Sequence, residues 1–345
     1  MSLNKRTVSY LLILLITTLV ITIRLPYYIS QPGEAYPIAP IIEVEDASNT
    51  TKGSFLLTTV RMGQANLLTY TYAKWKDYYE IFPEEDIKRP EESNEAFRTR
   101  QLFYMEDSTK NAVTVAYTYA GIPVSTEFKG IYVMNVLEGT MASEKLKAGD
   151  RIIKLNDETL TSSDQLISMV NQRSEGDTIT ITFIREEKEY RVPIELAIIN
   201  GQTGTVGIGI ELVDHVEIES DRDISFETEA IGGPSAGFMF SLEIYNQLTD
   251  KDLTKGYKIA GTGTISEDGT VGRIGGIEQK VIAAYSSDAD IFLAPNDSAP
   301  VGSDDFISNY EAAVNTAAEL DIDMEIVPIE TFEEAIIYLE GLEQR

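Results

Sequence analysis

The string Gly232-Gly233-Pro234-Ser235-Ala236-Gly237, followed without a break by the largely apolar run Phe238 to Tyr245, leaves the chain few choices. Glycine and proline together read as a turn, and the run behind them reads as a helix over 235–247. Ser235 therefore stands at a helix mouth. The glycines remove Cβ atoms where a second backbone would have to pass closely, and the helix start offers unpaired N–H groups to an anion.

Downstream lies Gly275-Gly276-Ile277-Glu278-Gln279-Lys280-Val281-Ile282-Ala283-Ala284. Ile277, Lys280, Val281 and Ala284 fall at i, i+3, i+4 and i+7. A helix starting near Ile277 would thus carry Lys280 on its apolar face and in its first turn. Desolvation and the positive end of the helix dipole both disfavour the cation, so the lysine is expected below its ordinary value of about 10.4, by roughly 3 units if it works near neutral pH.

At these residues the chain resembles the Lon family of serine proteases, which use a Ser-Lys dyad. The resemblance covers most of 205–345: Gly232 to Gly237, Gly261-Thr262-Gly263-Thr264-Ile265, Asp268-Gly269-Thr270-Val271, Gly275-Gly276-Ile277 and Lys280. It implies Ser235 as nucleophile, Lys280 as its general base, and Thr262 as the hydrogen-bond partner that orients the lysine. No Gly-x-x-x-x-Gly-Lys-Ser/Thr string occurs, so unlike the ATP-driven Lon proteases this sequence carries no P-loop, and cleavage without ATP is expected.

Residues 129–196 resemble a PDZ domain through Gly130-Ile131-Tyr132-Val133, Gly139-Thr140-Met141-Ala142 and, above all, Gly149-Asp150-Arg151-Ile152-Ile153-Lys154-Leu155-Asn156. Ser162 and Gln165 make a capping box for a short helix bearing Leu166, Ile167, Met169 and Val170, the element that flanks the peptide groove in PDZ folds. The resemblance implies that Lys129 to Val133, and so Gly130, Ile131, Tyr132 and Val133, form the edge that takes an added peptide strand. The usual carboxylate-binding Gly-Φ-Gly-Φ loop is not clearly present. A small packing domain without a ligand is the alternative.

Charge and composition exclude whole classes. The 345 residues carry a net charge of -28, which opposes nucleic acid and anionic lipid surfaces. With no cysteine there is no disulfide, thiol nucleophile or thiolate metal site, and neither a metal nor a cofactor is expected. The single histidine, His215, reads as a surface residue in an acidic strand or turn.

The N-terminal part completes the expected organisation. Thr7 to Ile23 is an uncharged apolar run, preceded by Lys5 and Arg6 and followed by Arg24, Tyr27 and Tyr28. It is expected to be a single-pass membrane anchor over 7–24, with 1–6 as a cytoplasmic tip and the rest outside the cell. The competing reading, a cleaved signal peptide, meets an awkward cleavage site at Gly33-Glu34-Ala35 between Pro32 and Pro37. Pro26, Pro32, Pro37 and Pro40 mark an extended leader, Phe55 to Val60 a buried strand, and Ala96 to Ala120 an amphipathic helix stopped by Gly121. Residues 25–128 are taken as an N-terminal extracytoplasmic segment, 129–198 as the PDZ-like β-rich domain, and 205–345 as the Lon-type α/β domain. Ile198 to Gly204 would be the linker between the last two.

The joint resemblance is to PDZ-containing, membrane-anchored Lon-like proteases of Gram-positive bacteria: a multidomain α/β (α+β) chain that cleaves exported peptides or proteins. Two rivals come from other classes. A non-catalytic PDZ receptor or scaffold has no need of an intact Ser235, Thr262 and Lys280. A small-molecule kinase, with Gly232 to Gly237 cradling phosphate, would find little ATP outside the cell.

Overall fold

The computed structural model describes the chain except residues 1–3, 46, 48–50, 90–91, 201–203, 221, 229–230, 250 and 300–305. It divides into two compact units that interleave in sequence. The first comprises Met1–Pro90, Ile224–Phe226 and Ser235–Arg345; the second comprises Glu91–Asp223 and Glu227–Pro234.

In the first unit, the apolar strands Ser54–Asn66, Lys258–Gly261, Ile291–Pro295 and Glu325–Ile329 lie parallel, each hydrogen-bonded to the next. Phe55 to Leu57, Ile259 to Gly261 and Ile291 to Pro295 are buried throughout, as befits strands covered on both faces. Arg24–Pro37 and then Glu80–Pro83 extend the sheet antiparallel, giving six strands. Leu56, Ala260 and Phe292 pack with Ile277, Val281 and Ala284 of the helix Ile277–Ser286. The helix Gly237–Leu248 is buried from Gly237 to Gln247, and its buried polar side chains are hydrogen-bonded, the Gln247 amide donating to Glu243 at 2.7 Å.

Two expectations for the N-terminal part are overturned. Residues 24–37 and 54–66 do not belong to a separate segment: they are strands of the sheet that also holds 258–261. The extended leader is a paired strand, with Pro37 at its end and Pro32 beside a register shift, the places where a missing N–H is tolerated. The expected membrane anchor fails as well, because among the described residues no helix is long and apolar enough to cross a membrane. The helix Lys5–Thr22 has 18 residues and spans about 27 Å, short of the roughly 30 Å hydrocarbon core, with Lys5 and Arg6 already inside it. The sheet begins at Arg24, whose guanidinium donates to the Gln64 carbonyl. Tyr27 packs on Tyr70 at 5.0 Å between ring centroids, and Tyr28 is buried, so neither serves as an interface anchor.

The second unit opens with the helix Asn94–Ala120, capped by the Ser93 hydroxyl and ended by Gly121. Its main sheet runs in the order 210–220, 124–136, 151–155, 178–185, 188–195, with 158–159 beside 151–155. Ile131, Val133, Ile152, Ile181 and Phe183 pack with Leu166 and Val170 of the helix Ser163–Asn171. Ser162 caps that helix through the Gln165 N–H, while the Gln165 side chain reaches back to the Thr161 N–H and hydroxyl.

Four further readings are corrected in this unit. Ile131 and Tyr132 pair with Ile152 and Arg151 on one side, and Gly130 to Val133 pair with His215 to Leu212 on the other. The strand Val124–Val136 is therefore interior, and Gly130, Ile131, Tyr132 and Val133 offer no free edge. The partner strand Ile210–Ser220 follows it along its whole length, so the boundary expected near 205 moves to about 235. The presumed linker is a hairpin of Ala197–Asn200 with Thr205–Gly207 inside this unit; 201–203 lie outside the described residues. His215, expected at the surface, is 6% exposed.

Candidate active site

Ser235 sits one residue before the N-cap of the helix Gly237–Leu248, and its carbonyl accepts from the Gly263 N–H at 3.0 Å and from Thr262 Oγ1 at 3.0 Å. Phe238 N–H in turn donates to the Gly263 carbonyl. The two chain segments are thus stitched together, and glycine is what lets them approach: a Cβ at Gly263 would lie 2.7 Å from Val271 Cγ1 and 3.1 Å from Phe238 Cβ.

Lys280 lies in the first turn of the helix Ile277–Ser286 on the face that carries Ile277, Val281 and Ala284 into the core. It is 3% exposed, and its Nζ is 2.8 Å from Ser235 Oγ and 2.8 Å from Thr262 Oγ1. Burial pulls its pKa down to about 7. The helix N-terminus acts in the same sense.

The threonine gives the site a direction. Its hydroxyl proton is committed to the Ser235 carbonyl, so toward Lys280 it can only accept. A neutral amine that donates one N–H to Thr262 is left with its lone pair for the Ser235 hydroxyl. The three residues singled out in the sequence are brought together with a single consistent proton arrangement.

Sequence reasoning missed what holds the lysine helix. Gln279, 1% exposed, accepts from Ser30 Oγ at 2.6 Å and donates to the Tyr78 carbonyl at 3.1 Å, tying the helix to the strand Arg24–Pro37 and to the turn before Glu80. Nothing local marks Gln279 or Ser30, since both depend on strand pairing across the unit. His215 takes no part in this cluster. Its Nε2 is 2.7 Å from Glu106 Oε1 and its ring lies 4.5 Å from that of Tyr132, all within the second unit. Among the described residues no group of three or more His, Asp or Glu is placed to hold a metal ion.

In the second unit a groove of about 220 Å³ runs between the helix Ser163–Asn171 and the segment Thr205 to Ile210, lined by Leu166, Ile167, Val170, Ile208 and Leu212. That segment contains Gly207-Ile208-Gly209-Ile210, a Gly-Φ-Gly-Φ string. Gly209 has φ 84° and a Cβ there would meet Thr140 Cγ2 at 2.7 Å, so only glycine fits. The signal was in the sequence, but it feeds the strand 210–220 rather than 124–136.

Residues 118–196 match the PDZ domain family, and residues 202–330 match the C-terminal proteolytic domain of Lon protease (S16). The chain carries a PDZ domain followed by a Lon-type proteolytic domain. Among curated relatives, Lon protease of Campylobacter jejuni is 34% identical over 107 residues, covering 31% of this chain and 12% of that protein. Lon protease of Ureaplasma parvum is 28% identical over 142 residues, 40% of this chain and 18% of that protein. The chain therefore spans less than a fifth of the length of these relatives. Among solved structures, the PDZ domain of the SdrC-like protein from Listeria monocytogenes is 35% identical, covering 25% of this chain and 90% of that one, with a TM-score of 0.24. The Lon-type match begins at 202, yet 210–220 pair inside the PDZ sheet, and the strands 24–37 and 54–66 that complete the Lon-type sheet lie outside both matches.

Proposed function

We propose that the chain is a serine endopeptidase that works without ATP, with Ser235 as nucleophile and Lys280 as general base. Neutral Lys280 takes the Ser235 hydroxyl proton as Oγ attacks the peptide carbonyl; the tetrahedral intermediate collapses as the lysine returns that proton to the leaving amine, and water, deprotonated by the same lysine, releases the acyl group. Thr262 accepts from the lysine throughout and keeps its lone pair on the reaction side. Backbone N–H groups at the mouth of the helix Gly237–Leu248, that of Ser235 among them, stabilise the oxyanion; one such donor is typically worth about 3 kcal/mol.

The observation that carries this reading is the buried Lys280 Nζ at 2.8 Å from both hydroxyls, with a pKa near 7. The substrate is a peptide or unfolded segment, and the groove beside Gly207 to Ile210 supports a presenting role for the PDZ domain, with an apolar side chain against Leu166 and Val170. Incubating the purified chain with a peptide library tests the reading. Cleavage that vanishes in Ser235→Ala supports it, and cleavage that persists overturns it.

A further inference from the structure

The loop that delivers Ser235 is gripped by a helix that lies almost wholly before both family matches. On Asn94–Ala120, Gln101 and Ser108 are seven residues apart and share a face. The Gln101 carbonyl accepts from the Gly233 N–H at 2.9 Å, and Ser108 Oγ, 3% exposed as a residue, donates to the Pro234 carbonyl at 2.8 Å. Farther along the same helix, Tyr117 donates to the Arg222 carbonyl at 3.2 Å. Three contacts from one helix thus bracket the segment that runs into the nucleophile. The matched proteolytic region begins only at 202, so this grip is supplied by a part of the chain outside it.

The Pro234 carbonyl is half of a planar peptide whose other half is the Ser235 N–H. Among the described residues no peptide bond is cis, so the two groups point in opposite directions from one rigid plane. A hydrogen bond that fixes the carbonyl therefore fixes the direction of the N–H. Proline already restricts its own φ, which leaves the rotation of this plane as the freedom that Ser108 removes.

We propose that Ser108 is a positioning residue for catalysis: through the Pro234 carbonyl it sets the direction of the Ser235 N–H, the donor that meets the oxyanion. The inference rests on the reading of Ser235 as nucleophile. Its effect belongs to the transition state, because the N–H bonds the oxyanion more strongly than the ground-state carbonyl.

Measurements on the full chain test this with Ser108→Ala, Ser108→Cys and Ser108→Thr. Loss of the hydroxyl donor in Ser108→Ala lowers kcat about ten- to a hundredfold, with KM within about twofold of wild type. Affinity for a peptidyl boronate, which forms a tetrahedral adduct on the serine, falls by a similar factor. The acid limb of the rate profile near pH 7 stays in place, since Lys280 remains buried. Ser108→Cys, close in size but a weak donor, behaves like the alanine variant and serves if that variant fails to fold. Ser108→Thr, which keeps the hydroxyl, recovers most of the rate. The proposal is overturned if the alanine and cysteine variants keep wild-type kcat, lose rate without losing boronate affinity, or shift the acid limb. Wild type that forms no adduct on Ser235 brings down the nucleophile reading and this inference with it; active wild type with an indifferent Ser108 brings down the inference alone.

Discussion

Lys280 sets stability against chemistry within one side chain. Its folded pKa of about 7 lies below its ordinary value of 10.5, so between these pH values the unfolded chain binds a proton that the folded chain does not. Stability therefore rises with pH across that window, and below pH 7 the full penalty of burying the lysine applies. Lys280→Met should raise the melting temperature at pH 7, by up to about 4 kcal/mol in stability, while abolishing cleavage. Thermal unfolding at pH 7 and at pH 10.5 checks it, since the gain should shrink at the higher pH. The rate in turn should rise through pH 7 and level off as the amine becomes neutral; a rate that fell through that range would rule out a lysine base. On the proposed dyad, in which Ser235 and Lys280 act as one unit, Ser235→Ala, Lys280→Ala and the double variant should all show the same residual rate. The burial of Lys280 was legible in the sequence because the helical phase of Ile277, Lys280, Val281 and Ala284 is local information. His215 was not: its acidic neighbours suggested exposure, whereas its burial comes from pairing with 124–136 and from Glu106, far away in sequence.

Among the elements, helices were read more closely than sheet partners. The long helix was expected over Ala96 to Ala120 with Gly121 as its stop and runs Asn94–Ala120, because such ends are written within a few residues; in the structure Thr331 and Glu334 form the capping box of Phe332–Glu340. Thr331→Ala should cost about 1 kcal/mol in denaturant unfolding with no change in the active-site rate. Strand neighbours depend on distant sequence, and there the reading slipped: 124–136 was taken as an edge and 210–220 as the start of the next domain. The groove beside Gly207 to Ile210 gives this slip a functional consequence. Gly209→Val would force a β-branched residue into φ 84° and against Thr140, so it should abolish binding of a peptide with an apolar C-terminus. Fluorescence anisotropy would read the loss, while a short peptide that cannot span the groove should still be cleaved within about twofold of the normal rate.

For the molecule as a whole, the order of the chain and the order of the sheet do not coincide. Lys258–Gly261 lies between Ile291–Pro295 and Ser54–Asn66, so the Lon-type unit draws its sheet from residues both before and after the PDZ unit in the sequence. A fragment of residues 202–345, which contains the whole proteolytic match, should show no cooperative melt by circular dichroism, because it leaves the buried strand 258–261 without one neighbour. Thr58 Oγ1 meets the Gly261 carbonyl across 203 positions of sequence. A contact that distant cannot form on a ribosome until residue 261 has emerged, whereas the pairing of 124–136 with 210–220 closes earlier and over a shorter loop. The sheet that backs Lys280 is therefore completed only once 325–329 has emerged, and until then the buried setting that lowers the lysine's pKa does not exist.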